Sequence, residues 1–265
     1  MKNKTKSLFI SHGGGPLPLL GDPAHQEMVL SLKNIAAKIV KPDAIVVVSA
    51  HWEERIPTIT AGQNPSLIYD YSGFPAESYQ IQYPCEGHPD LAADIYHLLS
   101  EAGIESKLDQ SRGFDHGLFV PLTIMYPEAD IPCVQLSLVN NMDAAQHIEI
   151  GRALQALSEQ NVLVIGSGFS FHNMSAFFAE NTTESSRLNH QFEQWLQDVC
   201  CNRDYQEQER TEMLVHWVKA EGARYCHPRE EHLLPLHVCY GVAQSSSYER
   251  IEINVLNKEV SMYLW

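Results

Sequence analysis

Two kinds of apolar run alternate along the chain. Residues 44–49 (Ala-Ile-Val-Val-Val-Ser) and 162–167 (Val-Leu-Val-Ile-Gly-Ser) are continuous, with branched side chains at their centres. That is the pattern of a strand buried on both faces of a parallel sheet. Residues 26–40 instead place Met28, Val29, Leu32, Ile35, Ala36 and Ile39 at helical spacing, and Pro42 closes that segment. The same reading predicts short strands at 7–11, 58–61, 106–108 and 133–138. It predicts helices at 89–102, 144–159, 184–199 and 206–218, a helix start at 118–125, and a last helix at 230–244 that contains Pro235. Residues 251–255 and 260–264 predict a closing hairpin at a sheet edge, and 69–83, rich in Tyr, Phe, Pro and Gly, an ordered loop that serves as a lid or an interface. Strands alternate with helices and neither a repeat nor a linker interrupts them. The expectation is one α/β domain over 1–265: a mixed central β-sheet with helices on both faces, three layers in the order αβα.

Composition narrows the partners. With 44% hydrophobic and 19% charged residues the chain can bury a substantial core. A formal net charge of −15 repels phosphate backbones, so neither nucleic acid nor an anionic membrane is expected as a partner. The small basic run at 2–6 reads as a solvated N-terminus. No apolar stretch reaches the length of a membrane span, and residues 7–10 are too short for a secretory leader. The six cysteines form no CxxC pair and two of them, Cys200 and Cys201, are adjacent, which suits free thiols in a cytoplasmic protein.

In open α/β sheets, ligands collect beyond the carboxyl ends of the strands. Three histidines fall there: His12 in Ser-His-Gly-Gly-Gly-Pro, His51 in Val-Val-Val-Ser-Ala-His-Trp and His172 in Gly-Ser-Gly-Phe-Ser-Phe-His-Asn. Two more adjoin turns: His116 in Gly-Phe-Asp-His-Gly, where Asp115 could orient the ring, and His232 in Glu-Glu-His-Leu-Leu-Pro. Glu230 and Glu231 after Pro228 also read as an acidic first turn matched to the helix dipole. His227 is a reserve ligand, while His25, His88, His97, His147, His190, His216 and His237 read as structural or solvated. Gly13-Gly14-Gly15 lacks the rest of a phosphate-binding loop, and HExxH and GxSxG are absent. Imidazole is the commonest side-chain metal ligand and a general base near neutral pH. Two histidines plus a third ligand, with open positions, suit either non-haem Fe(II) or zinc.

Taken in order, these five motifs resemble those of the class III extradiol ring-cleavage dioxygenases, and within them the 4,5-DOPA dioxygenase type. Tyr-Asp-Tyr-Ser-Gly-Phe-Pro at 69–75 and Met-Tyr-Pro-Glu-Ala-Asp-Ile-Pro at 125–132 extend the resemblance to nearly the whole chain. It implies one divalent metal per chain, Fe(II) for ring cleavage or Zn(II) as found bound, held by His12, His51 and His232. In the protocatechuate-cleaving branch a glutamate supplies the third ligand, which makes Glu231 a rival. The resemblance makes His172 the catalytic acid/base and His116 a second active-site histidine near substrate and oxygen. It implies a small aromatic diol and O2 as reactants and a monomer or homodimer. Two features depart from it. Three histidines without a carboxylate equally suit a zinc hydrolase or a non-catalytic metal-binding protein, and Phe169-Ser170-Phe171 stands where smaller residues are expected.

Overall fold

The computed structural model describes residues 5–265; residues 1–4, and with them most of the basic N-terminal run, lie outside the described residues. In chain order the regular elements are β1 (Ser7–Ser11), α1 (Gln26–Lys38), β2 (Ala44–Glu54), β3 (Thr58–Thr60), α2 (Pro89–Glu101), β4 (Lys107–Asp109), α3 (His116–Met125) and β5 (Cys133–Val139). They continue with α4 (Ala144–Ala153), β6 (Val162–Gly168), α5 (Met174–Phe177), α6 (Thr183–Cys201), α7 (Glu207–Val215), α8 (Ala223–Cys226), α9 (Leu234–Ala243), β7 (Glu249–Val255) and β8 (Lys258–Leu264).

All eight strands form one mixed sheet in the order β4-β3-β5-β2-β6-β1-β8-β7. Its centre, β5-β2-β6-β1, is parallel. The apolar runs of β2, β5 and β6 are buried on both faces there, as their composition requires. β8 joins antiparallel to β1, and the closing hairpin puts β7 at the edge. The hairpin turns through Leu256 and Asn257, both at positive φ, the turn geometry that follows strand twist.

Side chains alternate across a strand, and β6 shows what lies on each side. Gly166 faces α9, where an added Cβ would lie 2.5 Å from the Pro235 carbonyl oxygen. Ser167 faces α3, its hydroxyl donating to the Gly117 carbonyl. α4 and α9 are locked together at Gly151 and Gly241; a Cβ at Gly151 would lie 2.8 Å from the Gly241 Cα. With helices on both faces, the expected three-layer architecture is present.

Four predicted boundaries move by three residues or more. The helix expected at 144–159 stops at Ala153 and tightens into a 3-10 turn, Gln155–Gln160, closed by Asn161 at positive φ. The one at 206–218 ends at Val215 before a second 3-10 turn, Trp217–Lys219. The strand expected at 44–49 continues to Glu54. The last helix begins at Leu234 rather than 230, with Pro235 in its first turn, where its missing N–H breaks no bond. Residues 230–233 form a turn instead, in which the Glu230 carbonyl accepts from the amides of Leu233 and Leu234. Among the described residues no helix is long and apolar enough to cross a membrane.

Candidate metal centre

The carboxyl ends of β1, β2 and β6 fray apart at one place, and histidines fill the gap. His12 leaves β1 with its amide still bonded to the Gly168 carbonyl at 3.2 Å, so it stays beside β6. Pairing of β2 with β6 stops at Ser49↔Ser167, and pairing with β5 skips from Ser49 to Glu53. His51 lies inside that bulge, which re-aims its side chain. His116 opens α3. His232 comes from the turn before α9, and His172 from the loop after β6, its amide bonded to the Cys226 carbonyl at 2.8 Å.

All five predicted histidines meet. The Nε2 atoms of His12 and His51 are 3.0 Å apart. The His12, His51 and His232 rings form a nearly equilateral triangle, with centroids 4.8, 5.2 and 5.1 Å apart. His116 lies on one flank, 3.9 Å from the His51 ring. His172 lies on the other, stacked on His232 at 3.3 Å. Candidate ligand atoms fall into two groups, each within 4.8 Å: His12 with His51 and His116, and Glu231 with His172 and His232. His227 does not join them; it is buried behind the loop with Nε2 against the Ser170 carbonyl at 2.7 Å.

Desolvation is the largest influence on the inner rings. It lowers His12 and His232 well below the ordinary imidazole value and His51 to about 3, and neighbouring imidazoles add to the effect in His12 and His232. These rings are uncharged at neutral pH and offer lone pairs. The geometry fits a shared cation. Imidazoles ligating one ion at about 2.1 Å, with angles near octahedral or tetrahedral, have donor atoms about 3.0–3.4 Å apart and ring centroids about 4.5–5.2 Å apart.

Two carboxylates, Asp70 and Glu231, complete the site. Asp115 does not orient His116. It caps α3 through the Gly117 amide at 3.0 Å, accepts from Ser49 Oγ at 2.7 Å and from the Gln135 side chain, and pairs with Arg112. Asp70 takes the expected role instead, with Oδ1 2.8 Å from His116 Nδ1 and 3.0 Å from the His116 amide. Burial would raise the Asp70 carboxyl, but the His116 bonds outweigh it and hold it below its usual value. Glu231 does not belong to an acidic helix turn. Its Oε1 lies 3.2 Å from His172 Nδ1 and 3.1 Å from His232 Nδ1. Asp70 stood in the Tyr-Asp-Tyr motif, but nothing in the sequence links it to a histidine 46 positions away.

The aromatic loop forms one wall. Tyr71 lies 5.6 Å from the His116 ring and Tyr69 lies 5.8 Å from Phe119. Their hydroxyls bond back to the loop's own carbonyls, Ser78 and Ile81. Phe74 covers Gly15 beside His12, where a Cβ would meet its ring at 3.2 Å. The bulk of Phe169 and Phe171 is core packing against Phe177. His25, read as structural, props the Gly-rich turn by accepting from the Gly14 amide at 3.0 Å while Asp22 holds its other nitrogen.

The residues 7–263 match the family described as the catalytic LigB subunit of aromatic ring-opening dioxygenase. The chain belongs to this family. Similar curated proteins include a dioxygenase, tasH, of Hapsidospora irregularis, 39% identical over 97% of this chain and 84% of that protein. The 4,5-DOPA dioxygenase extradiol of Portulaca grandiflora is 40% identical over 91% and 88% respectively, and that of Escherichia coli K12 36% over 87% and 82%. A crystal structure of an uncharacterized Escherichia coli K12 protein superimposes with a TM-score of 0.78 at 30% identity, over 98% of this chain and 99% of that one. This LigB-family chain is a metal-dependent extradiol dioxygenase that opens an aromatic ring with O2.

Gly168 ties the histidines to the sheet. A Cβ there would lie 2.2 Å from the His232 carbonyl oxygen, itself the acceptor for the Phe169 amide. Gly168→Ala is expected to push the His232 turn outward, costing about 1–3 kcal/mol of stability and at least tenfold in metal affinity. Urea unfolding and a chelator competition check this; unchanged values in both would show that the turn yields freely.

Proposed function

We propose that the enzyme cleaves a DOPA-like catechol beside its diol, with Fe(II) held by His12, His51 and His232 and with His172 and His116 handling protons and charge. The near-equilateral triangle of the first three rings carries this reading. His116 and His172 sit on either side of that triangle, where they face a ring bound between them. When bound, Fe(II) supplies Lewis acidity toward the diol oxygens and the redox capacity to activate dioxygen. Glu231 holds His172 by Nδ1, leaving Nε2 to take a phenolic proton. His116, fixed by Asp70, is placed to stabilise charge that develops on oxygen. Tyr71 and Phe74 give the substrate ring an apolar surface and keep water from that side.

The test is oxygen uptake after the metal is stripped and Fe(II) reloaded anaerobically. L-DOPA and simpler catechols are expected to consume one O2 per ring and give a yellow ring-opened product. A His12→Ala/His51→Ala double variant is expected to lose both bound iron and uptake. Silence of the folded, fully iron-loaded parent across the panel would overturn the catechol reading. Hydrolysis of an ester by the zinc-loaded protein would then favour the hydrolase.

A further inference from the structure

We infer that Asp70 and Glu231 are a matched pair of positioning carboxylates, each gripping one histidine of the proposed metal triangle and one of the proposed acid–base pair. The inference borrows those role names from the function proposed above, but the grip itself is a matter of geometry. Asp70 enters from the aromatic loop. Its Oδ1 bonds His116 Nδ1 at 2.8 Å and its Oδ2 lies 3.5 Å from His51 Nδ1. Glu231 enters from the opposite flank, on the turn before α9. A single oxygen, Oε1, stands 3.1 Å from His232 Nδ1 and 3.2 Å from His172 Nδ1.

An ionised carboxylate can only accept. An Nδ1 hydrogen-bonded to one, as in His116 and His232, therefore carries the ring proton, and the corresponding Nε2 is left as a bare lone pair; His172 Nδ1, 3.2 Å from the same Glu231 oxygen, is inferred to do the same. The fifth ring follows the same rule by another route. Ser167 Oγ spends its hydrogen on the Gly117 carbonyl, so its oxygen accepts from His12 Nδ1 at 3.1 Å. His12, His116, His172 and His232 are thus set to one tautomer, with Nδ1 protonated and Nε2 free. The bare Nε2 of His12 stands 3.0 Å from His51 Nε2, the separation of two imidazole ligands on one ion. The outer partners leave Nε2 lone pairs available to a cation. They also join the two functions: losing one carboxylate loosens a metal-triangle ring and an acid–base ring together.

The experiment uses the full-length protein and zinc alone as the probe. Ring tautomers of His116 and His172 are read by long-range 1H–15N NMR at about pH 8, where imidazoles are neutral, and zinc affinity is read by competition with a chromophoric chelator. The parent is expected to show Nδ1–H at both rings. Asp70→Asn is expected to change the His116 signal and leave His172 alone, and Glu231→Gln to do the reverse. Each variant is expected to bind zinc about 10–100-fold more weakly. An Nε2–H tautomer at either ring of the parent would overturn the inference, and so would zinc affinity within twofold of the parent in both variants. The parent spectrum decides even if a variant fails to fold. Neither readout involves catechol or oxygen, so a protein silent toward catechols with both tautomers as expected sinks the substrate and leaves the clamp standing.

Discussion

Replacing His172 by glutamine is expected to lower kcat for ring opening by about 10²–10⁴-fold while the iron content stays at that of the parent. The ring stacks on His232 with an interplanar angle of 15°, outside the triangle of the other three, so its loss removes no side of that triangle. The loop that carries it is pinned by its own amide to Cys226, which limits collapse around the shorter replacement. Its side chain keeps about a fifth of its surface exposed, enough for a bound substrate to reach it. A proton-transfer role predicts a fall in kcat with KM little changed. Turnover within threefold of the parent would remove His172 from the chemistry. Loss of iron as complete as in the His12→Ala/His51→Ala variant would make it a ligand instead.

Stability is expected to fall steeply on acidification from pH 6.5 to pH 5. Desolvation holds His147 at about 4, and His227 and His51 at about 3, in the folded chain, against about 6.5 when unfolded. As pH drops through 6.5 the unfolded chain takes up protons that the folded chain refuses. Each group's share of stability is therefore complete above about pH 6.5 and is lost toward its folded value, by up to about 1.4 kcal/mol per pH unit. Glu193 works the other way: burial raises its carboxyl to about 7, so it takes a proton in the folded state first and stabilises as pH falls. The four groups together give a net loss of about 3 kcal/mol per unit. Urea unfolding of metal-free protein at pH 8, 6.5 and 5 measures this, and His147→Gln is expected to flatten the slope by up to about 1.4 kcal/mol per pH unit. A free energy constant over that range would mean that the buried rings take up protons without resistance.

The parts of the fold written as periodicity were legible before any coordinates. Continuous apolar runs marked β2 and β6, and helical spacing marked α1. From those the strand ends followed, and with them the neighbourhood of His12, His51 and His172. What the sequence did not reveal was which carboxylate holds which histidine. Asp115 adjoins His116 and looked like its orienting acid, yet helix capping turns that carboxylate toward Ser49 and Gln135. Asp70, from a loop with no periodicity, holds the ring instead. Pro228 followed by two glutamates imitates a helix start. The true start is fixed by burial of Leu233 and Leu234 and by Pro235, and the displaced turn is what frees Glu231 and His232 to face the sheet.

The glycine contact between α4 and α9 bears on how enzymes of this shape diversify. Where two helix backbones touch, no side chain is available there to exchange, so the slab beneath His232 has little room to drift. The opposite wall is a loop of tyrosines and a phenylalanine tied mainly to its own carbonyls. Change in the wall that faces the histidines can therefore accumulate at Tyr71 and Phe74 one residue at a time while the helix contact is inherited unaltered.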